Sequence, residues 1–167
     1  MHYTLIYPIR EVAGRTEVLL GYMLSGTWEG YFNGFGGKVE KESSVNSAMR
    51  ELREEAGIKT TLQSDIWYKG WVLFQEENIK DTGIRVDVFS VKLEDTVTPK
   101  ATDVALPCWF DSEQLPFAKM PAFDDQWVQE TVFTKKWHFR ENTINYRHVD
   151  NKLLGVTSKK RIASSRL

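Results

Sequence analysis

The sequence predicts an α/β protein, an α/β/α sandwich in which a mixed β-sheet lies between helices. Short apolar, β-branched runs recur along the chain, and two stretches with helical character interrupt them. At 167 residues the chain also has the length of one domain and can bury a core of its own.

The elements follow in order. Residues 3–9 and 18–24 read as the strands of a hairpin, with Gly14 in its turn. Residues 25–35 form a loop rich in glycine and aromatic residues. A helix follows, with Ser43 or Ser44 as its N-cap and Gly57 where a left-handed C-cap belongs. Its Val45, Ala48, Met49, Leu52 and Ala56 fall on one apolar stripe. Residues 66–74 and 84–93 read as long strands joined by a polar turn over 75–83. Residues 105–110 form a short strand, 124–137 a second helix and 137–149 a final hairpin. Residues 1–150 are thus expected to form the domain. Residues 151–167 lose periodicity, include Lys159-Lys160-Arg161, and read as a basic tail.

Composition narrows the function. The chain is 41% hydrophobic and 27% charged, ordinary for a globular protein. A net charge of −1 supplies no global field for nucleic acid or membrane, so neither partner is expected. A single cysteine, Cys108, leaves no internal disulfide and suits a reducing compartment. The first residues are too short and polar a run for a signal peptide, and a cytoplasmic protein is expected. The 13% aromatic content suits a pocket that stacks a planar ring, although most aromatic residues in any domain are core.

The chemistry concentrates between Gly36 and Ile58. Gly36-Gly37 leads into the helix bearing Arg50-Glu51-Leu52-Arg53-Glu54-Glu55. Glu51 and Glu55 lie one turn apart beside the apolar stripe, and Glu54 lies further round. Arg50 is four residues before Glu54 and can pair with it. Clustered carboxylates repel, and a divalent cation relieves that repulsion. Oxygen-only ligands favour magnesium, with manganese possible, over zinc. Such a site can polarise a phosphoryl oxygen and activate a bound water. A bare helix of this composition is more often a solvated, ion-paired face. The upstream glycine pair is what sets this one apart.

Gly36-Gly37, the spaced Glu42 and Arg50-Glu51-Leu52-Arg53-Glu54-Glu55-Ala56-Gly57-Ile58 resemble the Nudix hydrolase signature. Phe32-Asn33-Gly34-Phe35, Pro107-Cys108-Trp109-Phe110, Leu115-Pro116-Phe117 and Asp124-Asp125 resemble the MutT-type oxidised purine nucleoside triphosphatases. The resemblance implies a Nudix-type α/β/α fold and magnesium-dependent hydrolysis of a nucleoside triphosphate such as 8-oxo-dGTP. The products would be the monophosphate and pyrophosphate, and the role nucleotide-pool cleaning. It further implies that Gly36 (through its carbonyl), Glu51 and Glu55 bind the metal, and that Glu54 is a further ligand or orients water. Arg50 would hold Glu54, and Lys38 would sit near the phosphates. Thr4, Asn33, Asp124 and Asp125 would face the base, with Phe74 and Trp127 lining its pocket. Two adjacent aspartates in a dry pocket would share a proton, one donating and one accepting. A monomer or homodimer is expected. The alternatives are a Nudix hydrolase of a nucleoside diphosphate derivative and a non-catalytic Nudix sensor.

The sequence also departs from that pattern. Four residues rather than five separate Gly37 from Glu42. No lysine occurs in Gly21-Tyr22-Met23-Leu24, where the triphosphate would be met. Val104, next to Asp103, replaces the late glutamate, and Ala122-Phe123 replaces the aromatic that precedes the aspartate pair.

Overall fold

A computed structural model describes residues 1–80 and 83–167. Among the described residues, nine strands form one mixed sheet, with β3, β2, β1, β6, β5, β8 and β9 in spatial order. The hairpin β1 (His2–Val12) and β2 (Arg15–Met23) turns at Ala13-Gly14. The expected loop holds the short strand β3 (Phe32–Asn33), and β4 (Phe35–Lys38) begins on its last residue. β4 pairs antiparallel with the first half of β1, from Tyr3↔Lys38 to Ile6↔Phe35. On its other edge β1 runs parallel to β6 (Ile84–Lys92), which pairs antiparallel with β5 (Asp65–Glu76). β7 (Ala105–Asp111) pairs with β2. Of the turn expected over 75–83, Asp81 and Thr82 lie outside the described residues.

The helix α1 (Ser44–Ala56) begins and ends where its caps predict. The Ser43 side chain accepts from the Asn46 N–H, and Gly57 closes the helix at φ 66° with its N–H on the Arg53 carbonyl. Its Ala48, Leu52 and Ala56 are buried against Ile6, Leu19, Phe35, Ile66 and Phe89 on one face of the sheet. Strand alternation sends Tyr7, Leu20, Val72, Val88 and Ile144 to the other face, where they meet Trp127, Val128 and Val132.

The second helix is much shorter than expected. A 3₁₀ turn occupies Asp124–Gln126, Trp127 leaves helical geometry at φ −141°, and α2 spans only Val128–Val132. Polar contacts flank the short helix on both sides. The Trp127 indole N–H turns to Asp124, and the buried Lys69 ammonium takes the Thr134 and Lys135 carbonyls at 3.0 and 3.3 Å.

The expected basic tail is a strand. β9 (Lys152–Ile162) pairs antiparallel with β8 (His138–Arg147) along its whole length, from Arg147↔Lys152 to His138↔Ile162. The hairpin placed at 137–149 is therefore longer and turns between Arg147 and Lys152. Most β9 side chains are exposed, so the strand is held by its backbone ladder and carries no hydrophobic pattern.

Candidate active site

The glycine pair of β4 lies under α1. A β-carbon on Gly36 would stand 1.8 Å from the Thr4 carbonyl oxygen, so only glycine lets β4 approach β1 here. A β-carbon on Gly37 would stand 2.4 Å from Glu51 Oε1. The Glu51 carboxylate therefore rests on the Gly37 backbone. Glu55 reaches the neighbouring residue, its Oε1 accepting the Gly36 N–H at 2.9 Å. In an antiparallel pair, both backbone polar groups of a residue face the same way. The Gly36 carbonyl thus also points away from β1 and is left for another ligand.

Arg50 organises the acidic side chains more widely than its spacing predicts. It donates to Glu42 at 2.8–2.9 Å, to Glu51 at 2.9 Å and to Glu54 at 3.2 Å. Glu42, visible in the spaced pattern but given no role there, is bonded into this cluster through Arg50. These bonds, the one to Glu42 foremost, raise the Arg50 pKa and keep it charged. Burial pushes Glu55 up to about 7; the Gly36 bond opposes the rise, and Glu51 and Glu54 add to it. Glu51 is also raised, by burial against the opposing pull of Arg50. Glu54 is exposed.

Among the described residues, no three His, Cys, Asp or Glu side chains stand close enough together to hold a metal as they are. Arg50 draws Glu51 and Glu54 onto its guanidinium, while Glu55 bonds Gly36. The donors still suit a hard divalent cation. All are oxygens, two carboxylates reach one glycine pair, and Glu55 is costly to ionise without a cation beside it.

The remaining candidates divide between the two faces of the sheet. Phe74 and Trp127 share the core on the α2 side. Asp124 is buried beside them, its Oδ1 accepting the Trp127 indole N–H at 3.2 Å. Burial raises the Asp124 pKa well above the usual carboxylate range, against the indole bond and with a further push from Asp125. Asp125 is exposed, so the expectation of two aspartates in one dry pocket is corrected. Phe123, left-handed at φ 74°, precedes the pair, and the turn that follows it sends Asp124 inward and Asp125 outward. Asn33 is buried, and its amide oxygen accepts the Gly34 N–H at 2.8 Å, so its NH₂ is the group that can still donate.

Thr4 and Lys38 stand apart from this group. Thr4 alternates with Tyr3 and Leu5 and shares the α1 face with Ile6, so it does not meet Asp124. Lys38 is exposed and makes no ion pair among the described residues. Val104 is exposed in the loop before β7, beside the exposed Asp103, and supplies no carboxylate.

Comparison with known proteins identifies the family and the fold. The NUDIX domain family model matches residues 5–131. An oxidized purine nucleoside triphosphate hydrolase of Mus musculus is 31% identical over 140 residues, covering 81% of this chain and 85% of its own. The protein of the same description from Danio rerio is 31% identical over 138 residues, covering 79% and 85%. The crystal structure of a mutator MutT protein from Bacillus halodurans superposes with a TM-score of 0.68 at 18% identity, covering 95% of this chain and 97% of its own, which shows the shared fold. The chain belongs to the Nudix hydrolase family.

Proposed function

We propose that this Nudix hydrolase is a magnesium-dependent pyrophosphohydrolase of nucleoside triphosphates, with purines oxidised at C8 as its preferred substrates. The observation that carries the proposal is the approach of the Glu51 and Glu55 carboxylates to the Gly36-Gly37 backbone. The substrate class is supported by the relatives from mouse and zebrafish, which are described as acting on oxidised purine nucleoside triphosphates.

The Gly36 carbonyl, Glu51 and Glu55 would hold the cation, and Glu54 would orient the water. When bound, magnesium or manganese neutralises phosphate oxygens and acidifies a coordinated water. The protein's own groups do the rest. Arg50 holds Glu51 and Glu54 in fixed directions. One Glu54 oxygen is engaged by Arg50, and the other can accept the proton of the attacking water. Water adds to a phosphorus, the anhydride bond breaks, and nucleoside monophosphate and pyrophosphate leave. On the α2 side, Phe74 and Trp127 would pack the base, while Asp124 and the Asn33 amide meet its edge.

A phosphate-release screen with added pyrophosphatase tests the proposal. It should cover ordinary and oxidised nucleoside triphosphates, ADP-ribose and dinucleoside polyphosphates. The expected result is magnesium-dependent turnover with 8-oxo-dGTP ahead of dGTP. Turnover led by ADP-ribose would replace the triphosphate with a nucleoside diphosphate derivative. No turnover on any of them would make the domain a binder.

A further inference from the structure

The end of the sheet away from the glutamates carries a cavity that hydrolysis does not use. It measures about 260 Å³, and Lys69, Ser90 and Ser112 are among the residues that line it. Ile9 and Glu11 place it at the carboxyl end of β1, whereas Gly36 and Gly37 pair with Leu5 and Thr4 near the amino end. It also lies on the other face of the sheet. Phe89 and Val91 belong to the core under α1, so Ser90 between them faces the α2 side. Glu11, Lys92 and Lys136 are exposed at the rim, so solutes can enter.

Lys69 is a buried cation without an anion. It is 3% exposed, and its ammonium donates only to the neutral Thr134 and Lys135 carbonyls. No carboxylate makes an ion pair with it among the described residues, because the acids of the lining are engaged elsewhere. Asp65 accepts the Trp67 indole N–H and stands 3.7 Å from the Lys136 ammonium, and Glu11 accepts the Thr16 hydroxyl at 2.8 Å. Burial pushes the Lys69 pKa down to about 8, with Asp65 opposing and Lys136 adding. An anion at its third N–H would offset the cost of burying that charge. Ser90 and Ser112 are buried as well, and neither hydroxyl has a hydrogen-bond partner among the described residues. Three lysines against two carboxylates leave the lining at +1. We propose that this cavity is a second binding site, which takes a small oxyanion, a phosphate or a carboxylate, against the Lys69 ammonium and the Ser90 and Ser112 hydroxyls. Its volume falls below the roughly 300–1,000 Å³ of sites for larger organic ligands. Glu94 and Asp95, in the adjoining pocket, repel a polyanion. The site stands independently of the hydrolytic reading.

Calorimetry with inorganic phosphate and with malonate tests the assignment, beside thermal melts in each anion against chloride at equal ionic strength. A chelator in every sample keeps metal-bound phosphate out of the glutamate site. Wild type should bind at least one of the two and melt higher in it, and the tighter of them names the oxyanion class. Lys69→Gln can still donate to the Thr134 carbonyl but carries no charge, so it should weaken binding by about tenfold. Ser90→Ala should weaken binding by about threefold and leave the melting midpoint in chloride unchanged. Where Lys69→Gln does not fold, Ser90→Ala decides the question alone. Binding of neither anion, or binding that the variants leave intact, would overturn the proposal. So would binding that Arg50→Ala abolishes and Lys69→Gln retains, since the anion would then sit at the glutamate site.

Discussion

Replacing Glu55 with glutamine separates the two consequences of burying a carboxylate at a metal site. Glu55 is 9% exposed, and its pKa rises from 4.5 to about 7. That rise corresponds to about 3 kcal/mol between its two protonation states. The sign follows from linkage. A raised carboxyl keeps its proton in the fold where the unfolded chain has lost it, so the Glu55 contribution to metal-free stability is fully present below pH 4.5, is lost toward pH 7 and then levels off. Glutamine can still accept the Gly36 N–H through its amide oxygen, and it does not titrate. In chelator, Glu55→Gln should therefore match wild type near pH 4 and exceed it by about 3 kcal/mol at pH 8. For a chain of this size that is roughly 6–12 °C in melting midpoint. Hydrolysis should fall by orders of magnitude, because an amide is a poor ligand for a hard cation. Thermal melts across pH with and without magnesium, and initial rates at saturating magnesium, measure both effects. More than about a tenth of wild-type activity in the variant, or a metal-free midpoint at pH 8 no higher than wild type, would refute the reasoning.

Other perturbations probe the remaining contacts. Arg50→Lys keeps the charge but cannot reach Glu42, Glu51 and Glu54 together, so its magnesium midpoint in activity titrations should stay close to that of Arg50→Ala; recovery to wild type would show that charge alone suffices. Asp124→Asn should lower the 8-oxo-dGTP to dGTP ratio of kcat/KM by about tenfold, and Asp125→Asn by much less, because only Asp124 is buried. A larger effect at Asp125 would place base reading outside the α2-side core. Truncation after Asp150 removes β9 and bares the β8 edge, so the melting midpoint should drop clearly; an unchanged midpoint would mean that the segment behaves as the tail its composition suggests.

The helix α1 was legible in the sequence because everything that defines it is local. Its caps, its apolar stripe and the spacing of Glu51, Glu54 and Glu55 lie within fifteen residues, and the structure keeps each of them. The first strands were legible for the same reason, through alternation and the turn at Gly14. Tertiary structure decided the rest. The strand β9 has few buried side chains, so its identity lies in its ladder to β8 and not in its composition. Just beyond the short second helix, the Thr134 carbonyl is taken by Lys69, 65 residues away. Asp124 and Asp125 are chemically identical neighbours, and only the turn after Phe123 buries one and exposes the other. Tyr7 reads as one more apolar strand residue until Trp127 and Gly34 close around it. Helix caps and periodicity act between neighbours in the chain, so sequence exposes them. Strand pairing, burial and the partners of a polar atom depend on segments far apart in sequence, and only the folded chain brings those together.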